Sequence, residues 1–149
     1  QARIGNLILR RRPAFAGAYL HQAMVGYDGE KMSKSRGNLV LVSKLRESAV
    51  DPMAIRLALL NHHHAAAWEW RDEEIKTAAT RLETWRAAFA RTSGPSADAL
   101  VAAMRSSLRA GLNTPQALAA VDTWCESEGE DATAPEKART AVDALLGVI

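Results

Sequence analysis

Hydrophobic and polar positions change their spacing along the chain near residue 42. Before this point, the short apolar runs "AYLHQAMVG" and "NLVLV" bracket a polar loop that contains glycine, and such runs are typical of short strands or extended segments. After it, apolar residues recur every three or four positions, which predicts helices. The pattern therefore divides the chain into a first part, residues 1–42, and a helical part, residues 43–149.

Residues that favour helix ends predict where the helices of the second part begin. Ser43 is expected to cap the short turn "KLRES". Asp51 is a typical N-cap and Pro52 suits the first helical position, so a helix is expected through "PMAIRLALLNHH". Asn113 or Thr114 is expected to cap the helix that Pro115 opens. The remaining helices are predicted at about 72–91, at 97–109 and in the final run "EKARTAVDALLGVI". The predicted fold class is mainly α, ending in a bundle of about five helices.

The same periodicity assigns several side chains to the core of this bundle. Ile55, Leu59 and His62 fall on one face of their predicted helix, so this face is expected to be buried. Trp85 and Trp124 lie on apolar stripes and are interpreted as core residues. Cys125 lies beside Trp124 and is interpreted as a small core residue rather than a ligand.

Two aromatic runs between the helices carry alternative interpretations. Three consecutive residues on a helix point in three directions, so His62–His64 cannot converge on one metal ion and are expected to be structural or solvent-exposed. Trp68 and Trp70 alternate around Glu69, which is an extended spacing. These two tryptophans either fill the joint between the two parts of the chain or stack on a sugar or base.

The composition is that of a globular chain in a reducing compartment. Among 149 residues, 48% are hydrophobic, and no run approaches the ~18 apolar residues that a membrane span requires. The single cysteine cannot form an internal disulfide, so we expect a cytoplasmic protein without a membrane partner. The chain opens at Gln1 with an arginine-rich stretch that includes Arg10, Arg11 and Arg12. This opening predicts a piece of a larger protein in preference to a targeting segment.

Charge is distributed unevenly around a small net value of +2. Residues 1–46 hold nine basic and two acidic residues, whereas the remainder holds ten basic and fifteen acidic ones. An anionic partner is therefore expected at the first part of the chain, and the helical part is not an obvious surface for nucleic acid.

The basic part contains the polar loop "DGEKMSKSRGN", residues 28–38. On a helix, ammonium groups three residues apart, such as those of Lys31 and Lys34, repel each other unless an anion lies between them. Ser33 and Ser35 add hydroxyl donors, and the glycines allow the backbone to move. Such a loop suits a polyphosphate, although a solvated basic turn would have a similar composition.

The string "KMSKS", Lys31 to Ser35, resembles the second signature motif of the class I aminoacyl-tRNA synthetases. This resemblance implies that residues 1–42 are the C-terminal remnant of a Rossmann-type α/β catalytic domain that uses ATP to activate an amino acid. It implies that Lys34 is the main phosphate ligand and that Lys31 assists it. The other residues that it places at ATP or the adenylate are Met24, Val25, Met32, Ser33 and Ser35.

A narrower resemblance covers most of the chain. The segments "GEKMSKSRGNLVLVSKL", "DPMAIRLALL", "WEW" and "LNTPQALAAVDTW" are similar, in this order, to the cysteine-activating branch of that family. Within the branch, "MVGYDGEKMSKSRGNLVLVS" is similar to the mycothiol-pathway ligases, which join cysteine to glucosaminyl-inositol through a cysteinyl-adenylate. Two alternatives stay open: a cysteinyl-tRNA synthetase, for which tRNA would be a partner, and a non-catalytic fragment that acts only as a packing module.

The resemblance also implies parts that this sequence lacks. The family's first signature, a histidine-containing turn that grips ATP, is absent, as are the cysteine and histidine ligands of the family's zinc. We therefore expect a missing N-terminal catalytic half as a partner of this chain, and we expect the chain alone to be inactive.

Overall fold

The computed structural model describes residues 15–149, so the arginines at positions 10–12 lie outside the described residues. Two short strands come first, β1 (Val25–Tyr27) and β2 (Glu30–Lys31), and a 3₁₀ turn follows at Lys34–Arg36. The third strand, β3 (Trp68–Trp70), lies between two helices. The helices are α1 (Val42–Glu47), α2 (Pro52–Leu60), α3 (Glu73–Phe89), α4 (Ala97–Arg109), α5 (Thr114–Glu126) and α6 (Ala134–Leu146). The predicted mainly α fold class is confirmed, and the five helices from α2 to α6 form the expected bundle.

The three strands form one small sheet in the order β2-β1-β3. β1 and β2 are antiparallel, and the turn between them consists of Asp28 and Gly29, which have φ angles of 53° and 76°. Two consecutive positive φ angles are typical of a type I′ hairpin turn, for which Asp-Gly is a favoured pair. β3 lies parallel to β1, with Glu69 opposite Gly26, so a segment from between two helices completes the sheet.

The hydrophobic core belongs to the bundle. Trp85 is fully buried and Trp124 and Cys125 are 4% and 8% exposed, so their interpretation as core residues is confirmed. The two tryptophans also satisfy their indole N–H groups, because Trp85 donates to Asp122 at 2.8 Å and Trp124 donates to the Pro95 carbonyl at 2.9 Å. In the described part of the chain, no helix is long and apolar enough to cross a membrane.

The predicted caps set the helix boundaries. The Asp51 carboxylate accepts a hydrogen bond from the Met53 N–H at 2.8 Å, and α2 begins at Pro52. The Asn113 side chain accepts from the Gln116 N–H at 3.2 Å at the start of α5. α4 spans the predicted residues 97–109. These positions follow from local chemistry, because the first turn of a helix leaves N–H groups that a cap satisfies.

The run "NLVLV" forms no strand, although Leu41 has the extended backbone that was the alternative prediction, and the cap predicted at Ser43 is wrong. Residues 39–41 lie in no strand, and α1 begins at Val42 with Leu41 as its N-cap residue, which has no side-chain cap. The run "AYLHQAMVG" is a strand only from Val25 onward. A short apolar run does not by itself distinguish a strand from a helix start, and Val42 continues into a helical turn.

The helical placement of His62–His64 is also wrong, as is the buried position of Leu59. α2 ends at Leu60, and the three histidines lie in a turn in which the His62 N–H donates to the Leu59 carbonyl. Leu59 is 48% exposed. Ile55 is buried as predicted, and it shares the buried face of α2 with Ala54, Leu57 and Ala58. The last three residues belong to the hydrophobic core cluster of the bundle.

Candidate functional site

The predicted phosphate-binding residues lie on a surface loop that begins at the end of β2. Lys31 is the last residue of β2, and Lys34 and Ser35 lie on the 3₁₀ turn. These three side chains are exposed, whereas Met32 and Ser33 are half-buried. Because Lys31 ends a strand and Lys34 begins a turn, they do not have the i, i+3 relation of a helix. The course of the loop sets the separation of the two ammonium groups.

Both ammonium groups are available to an anion. Among the described residues, neither Lys31 nor Lys34 forms an ion pair. The neighbouring acid, Glu30, pairs with Arg36 on the other side of the loop. Both members of that pair are more than half exposed, so the pair contributes little to stability. It does neutralise the carboxylate that would otherwise compete with a phosphate for the two lysines.

The loop returns on itself through a glycine and an asparagine. Gly37 ends the 3₁₀ turn with a φ of 69°, a left-handed conformation that glycine adopts without steric cost, and donates to the Lys34 carbonyl at 3.2 Å. Asn38 Oδ1 then accepts from the Ser33 N–H at 2.9 Å. The hydroxyls of Ser33 and Ser35 lie 3.3 Å apart, close enough for a hydrogen bond.

Beside the loop lies an open groove of about 430 Å³. It brings together Met24, Val25 and Lys31, three of the predicted site residues, with Trp68 and Glu69 of β3. The other four predicted residues, Met32, Ser33, Lys34 and Ser35, do not line it. Apolar side chains next to an ammonium group form a surface that suits a nucleobase with a phosphate tail.

Glu69 is a part of this site that the sequence analysis did not identify. Its carboxylate accepts a hydrogen bond from the Gly29 N–H in the β1–β2 turn, across 40 positions of sequence. The Asp-Gly pair alone would have indicated the hairpin. The contact with Glu69 depends on the parallel pairing of β3 with β1, for which the sequence carries no local signal.

β3 also joins the sheet to the bundle. The extended conformation predicted for Trp68 and Trp70 is confirmed. Trp70 is 5% exposed. The Trp68 ring stacks on His62 with the ring centroids 3.7 Å apart, and His62 Nε2 lies 3.3 Å from Glu74 Oε2. Trp68 therefore contacts the start of α3 through His62 and lines the groove as well.

The described residues do not fit a zinc site. Within residues 15–149, no group of three His, Cys, Asp or Glu side chains is arranged to hold a metal ion. Cys125 lies in the bundle core, where burial, reinforced by the charge of Asp122, raises the pKa of its thiol to about 12. A thiol that stays protonated is a poor metal ligand.

A larger groove of about 660 Å³ lies on the bundle between α3 and α5, and two of its charged residues, Arg81 and Asp122, form an ion pair. Arg81 Nε donates to both oxygens of Asp122 at 3.0 and 3.1 Å, and Arg81 Nη1 donates to Asn61 at 2.9 Å. Asp122 accepts in addition from Trp85. This network joins α2, α3 and α5, so we assign it to the packing of the bundle.

Comparison with known proteins agrees with the resemblance read from the "KMSKS" string. Residues 8–80 match the family model described as the tRNA synthetases class I (C) catalytic domain. This match covers the strands, the loop and the start of α3. The predicted resemblance to the class I synthetases is therefore confirmed.

Similarity to curated proteins extends through the bundle. The chain is similar to proteins named L-cysteine:1D-myo-inositol 2-amino-2-deoxy-alpha-D-glucopyranoside ligase from three organisms. It is 59% identical to the Thermobifida fusca protein over 87% of the chain, 56% identical to that of Kribbella flavida over 90%, and 56% identical to that of Streptomyces coelicolor over 89%. The alignments cover 32%, 33% and 34% of these relatives, so the chain spans about a third of their length.

Proposed function

We propose that the protein to which this chain belongs is an ATP-dependent ligase of mycothiol biosynthesis. It activates cysteine as cysteinyl-adenylate and transfers the cysteinyl group to the amine of glucosaminyl-inositol. The observation that carries the proposal is the identity of more than half of the aligned residues with ligases named for these two substrates. We further propose a cytoplasmic location, since the one cysteine remains a buried thiol, as suits a reducing compartment.

The first step is attack of the cysteine carboxylate on the α-phosphorus of ATP, which forms the mixed anhydride and releases pyrophosphate. Negative charge grows on the departing pyrophosphate as its bond to the α-phosphorus breaks. An ammonium group held against it stabilises the transition state more than the ground state. We assign Lys34 as the main phosphate ligand and Lys31 as its assistant, since both are exposed and unpaired among the described residues.

The remaining residues of the site position the nucleotide. We assign Met24 and Val25, which line the groove, and Met32, which is half-buried on the loop, to the adenine. Ser33 and Ser35 shape the loop through the contact between their hydroxyls. In the second step the amine of the acceptor attacks the activated carbonyl and AMP leaves; we assign no residue of this chain to that step.

The test uses the full-length protein with ATP, cysteine and glucosaminyl-inositol. We expect pyrophosphate release that depends on cysteine, and an amide product that requires the amino sugar and no tRNA. Charging of tRNA with cysteine would favour the synthetase alternative, and failure to use ATP in either assay would favour a non-catalytic packing module.

The site assignment has its own test. Replacing Lys34 with Ala is expected to lower kcat for pyrophosphate release by about 10²–10³, the usual effect of removing one donor to a developing oxyanion. Lys137→Ala, at an exposed position of α6, is the matched control and is expected to leave kcat unchanged. Equal rates for the two variants would contradict the role of Lys34.

A further inference from the structure

We propose that Asn38 is a positioning residue that closes the "KMSKS" loop and holds its two lysines ready for the nucleotide. This inference rests on the proposed function for its catalytic consequence, although the loop closure itself can be measured without catalysis. Asn38 lies after the signature string. Its amide contacts the backbone of the string at two points, one on each side of Met32.

The two contacts use both ends of the amide. Oδ1 accepts from the Ser33 N–H at 2.9 Å, and Nδ2 donates to the Lys31 carbonyl at 3.4 Å. Asparagine carries an acceptor and a donor on one short side chain, which an alanine lacks entirely and an aspartate matches only in the acceptor. The Lys31 carbonyl belongs to the last residue of β2, which pairs with Gly26, and the Ser33 N–H lies two residues beyond it. The Asn38 side chain therefore contacts the backbone where the β1–β2 pairing ends.

The backbone between the two ends is shaped to bring Asn38 back to them. The 3₁₀ turn and the left-handed Gly37 reverse the chain, and Asn38 then reaches the Ser33 N–H. Glu30 and Arg36 also form an ion pair across the loop, but both side chains are more than half exposed. An exposed ion pair holds a loop weakly. The half-buried Asn38 therefore holds the loop closed more effectively than this ion pair does.

The two hydrogen bonds of Asn38 also affect Lys31 and Lys34. Because the loop is closed, the backbone positions of both lysines are fixed before the nucleotide binds. Less conformational entropy is then lost when the two side chains bind a triphosphate. The phosphate contacts strengthen as pyrophosphate departs. Loss of the Asn38 hydrogen bonds should therefore chiefly lower kcat rather than raise the KM for cysteine.

The test compares Asn38→Ala with the unmodified full-length protein in cysteine-dependent exchange between ATP and pyrophosphate. We expect kcat to fall about tenfold, the effect of losing a well-made hydrogen bond, with the KM for cysteine unchanged. Trypsin, which cleaves after Lys31, Lys34 and Arg36, is expected to cut the variant's loop several-fold faster. Asn38→Asp keeps the acceptor for Ser33 but loses the donor to Lys31, so its rate of cleavage should lie between those of the unmodified protein and Asn38→Ala.

Asn113→Ala is the matched control, because Asn113 caps α5 through the same kind of side-chain-to-backbone bond. We expect it to lower the melting temperature while leaving the rate of loop cleavage and kcat unchanged. The inference is overturned if Asn38→Ala matches the unmodified protein in both loop cleavage and kcat, or if Asn113→Ala changes loop cleavage and kcat as much as Asn38→Ala does. If the unmodified protein shows no cysteine-dependent exchange, the proposed function is refuted. The rates of trypsin cleavage would still test whether Asn38 closes the loop.

Discussion

The thiol of Cys125 lies in the bundle core, next to Trp124 in sequence, and is 8% exposed. Burial raises the pKa of this thiol to about 12, and the Asp122 carboxylate adds to the effect. Only about 10⁻⁴ of the thiol would be ionised at pH 8, and thiol reagents require the thiolate. Cys125 should therefore react with a disulfide reagent at pH 8 far more slowly in the native chain than in the unfolded one, with Cys125→Ala as the blank.

The same shift determines how this group affects stability at high pH. The thiol's pKa is higher in the folded chain than the ordinary value of 9.0, so the unfolded chain releases the proton first. The contribution of the thiol to stability is complete below pH 9 and is lost as the pH rises from 9 towards 12. If Cys125 in the native chain reacts as fast as a free thiol at pH 8, the raised pKa of this thiol is contradicted.

Gly129 lies in the connection between α5 and α6, against the backbone of Gly94 and Pro95. A Cβ at this position would collide with backbone atoms of Pro95, which cannot rotate away. We expect Gly129→Ala to lower the free energy of unfolding by about 1–3 kcal/mol, as overpacking usually does. Urea unfolding measures the change.

Gly17→Ala is the control for this substitution, because a Cβ at Gly17 meets no atom of residues 15–149 within 4 Å. Its free energy of unfolding should lie within about 0.5 kcal/mol of the unmodified value, as for most surface changes. If the two variants are equally stable, the close approach of Gly129 to Pro95 is wrong.

At the level of elements, helix starts were predictable where a residue acts on its own neighbours. Asp51 with Pro52 and Asn113 with Pro115 fix the starts of α2 and α5 through contacts two or three residues away. The ends of other elements depend on distant partners. Residues 39–41 pair with no strand of the part that the structure describes, whereas β3 is paired with β1.

The candidate site divides in the same way. The lysines and serines of the loop were identified from the string "KMSKS", because a contiguous motif is visible without a fold. Glu69 and Trp68 reach the groove only through the pairing of β3 with β1. Asn38 is close in sequence, but its role depends on the left-handed Gly37 that turns the chain back.

Substitutions at Asp51, the N-cap residue of α2, can separate the effect of its hydrogen bond from the effect of its charge. One carboxylate oxygen of Asp51 accepts from the Met53 N–H and the other accepts from Arg86, each at 2.8 Å. Asparagine caps a helix about as well as aspartate, whereas alanine costs about 1 kcal/mol. We therefore expect Asp51→Ala to lower the free energy of unfolding by about 1 kcal/mol at pH 7, and Asp51→Asn by clearly less, in urea titrations.

Acid should remove the part of this contribution that depends on charge. The bond from Met53, and then the charge and hydrogen bond of Arg86, lower the pKa of Asp51 below its ordinary value of 3.8. The ionised carboxylate therefore stabilises the fold above about pH 4, and this stabilisation is lost as the pH falls through the lowered pKa. An unmodified chain and an Asp51→Asn variant that lose stability equally on acidification would argue against the effect.

For the whole molecule, the distribution of buried residues bears on the proposed boundary between residues 1–42 and 43–149. Every buried member of the described hydrophobic cluster lies between Ala54 and Val148, and the partly buried residues that pack against it lie within 53–149. The two ends of the bundle are also tied together, since Arg56 donates to the Leu146 carbonyl at 2.7 Å. The sheet contributes no residue to this cluster.

We therefore expect residues 43–149 to fold without the first 42. A chain of this length can bury a core of its own, although the boundary removes Val42, the first residue of α1. The fragment should keep its helical circular dichroism, unfold cooperatively in urea, and retain the near-ultraviolet signal of Trp85 and Trp124. Residues 15–42 alone should be unfolded, because an isolated hairpin is marginal in water. A fragment 43–149 without a cooperative transition would mean that β1, through its pairing with β3, is needed to hold the bundle together, and the boundary would then be wrong.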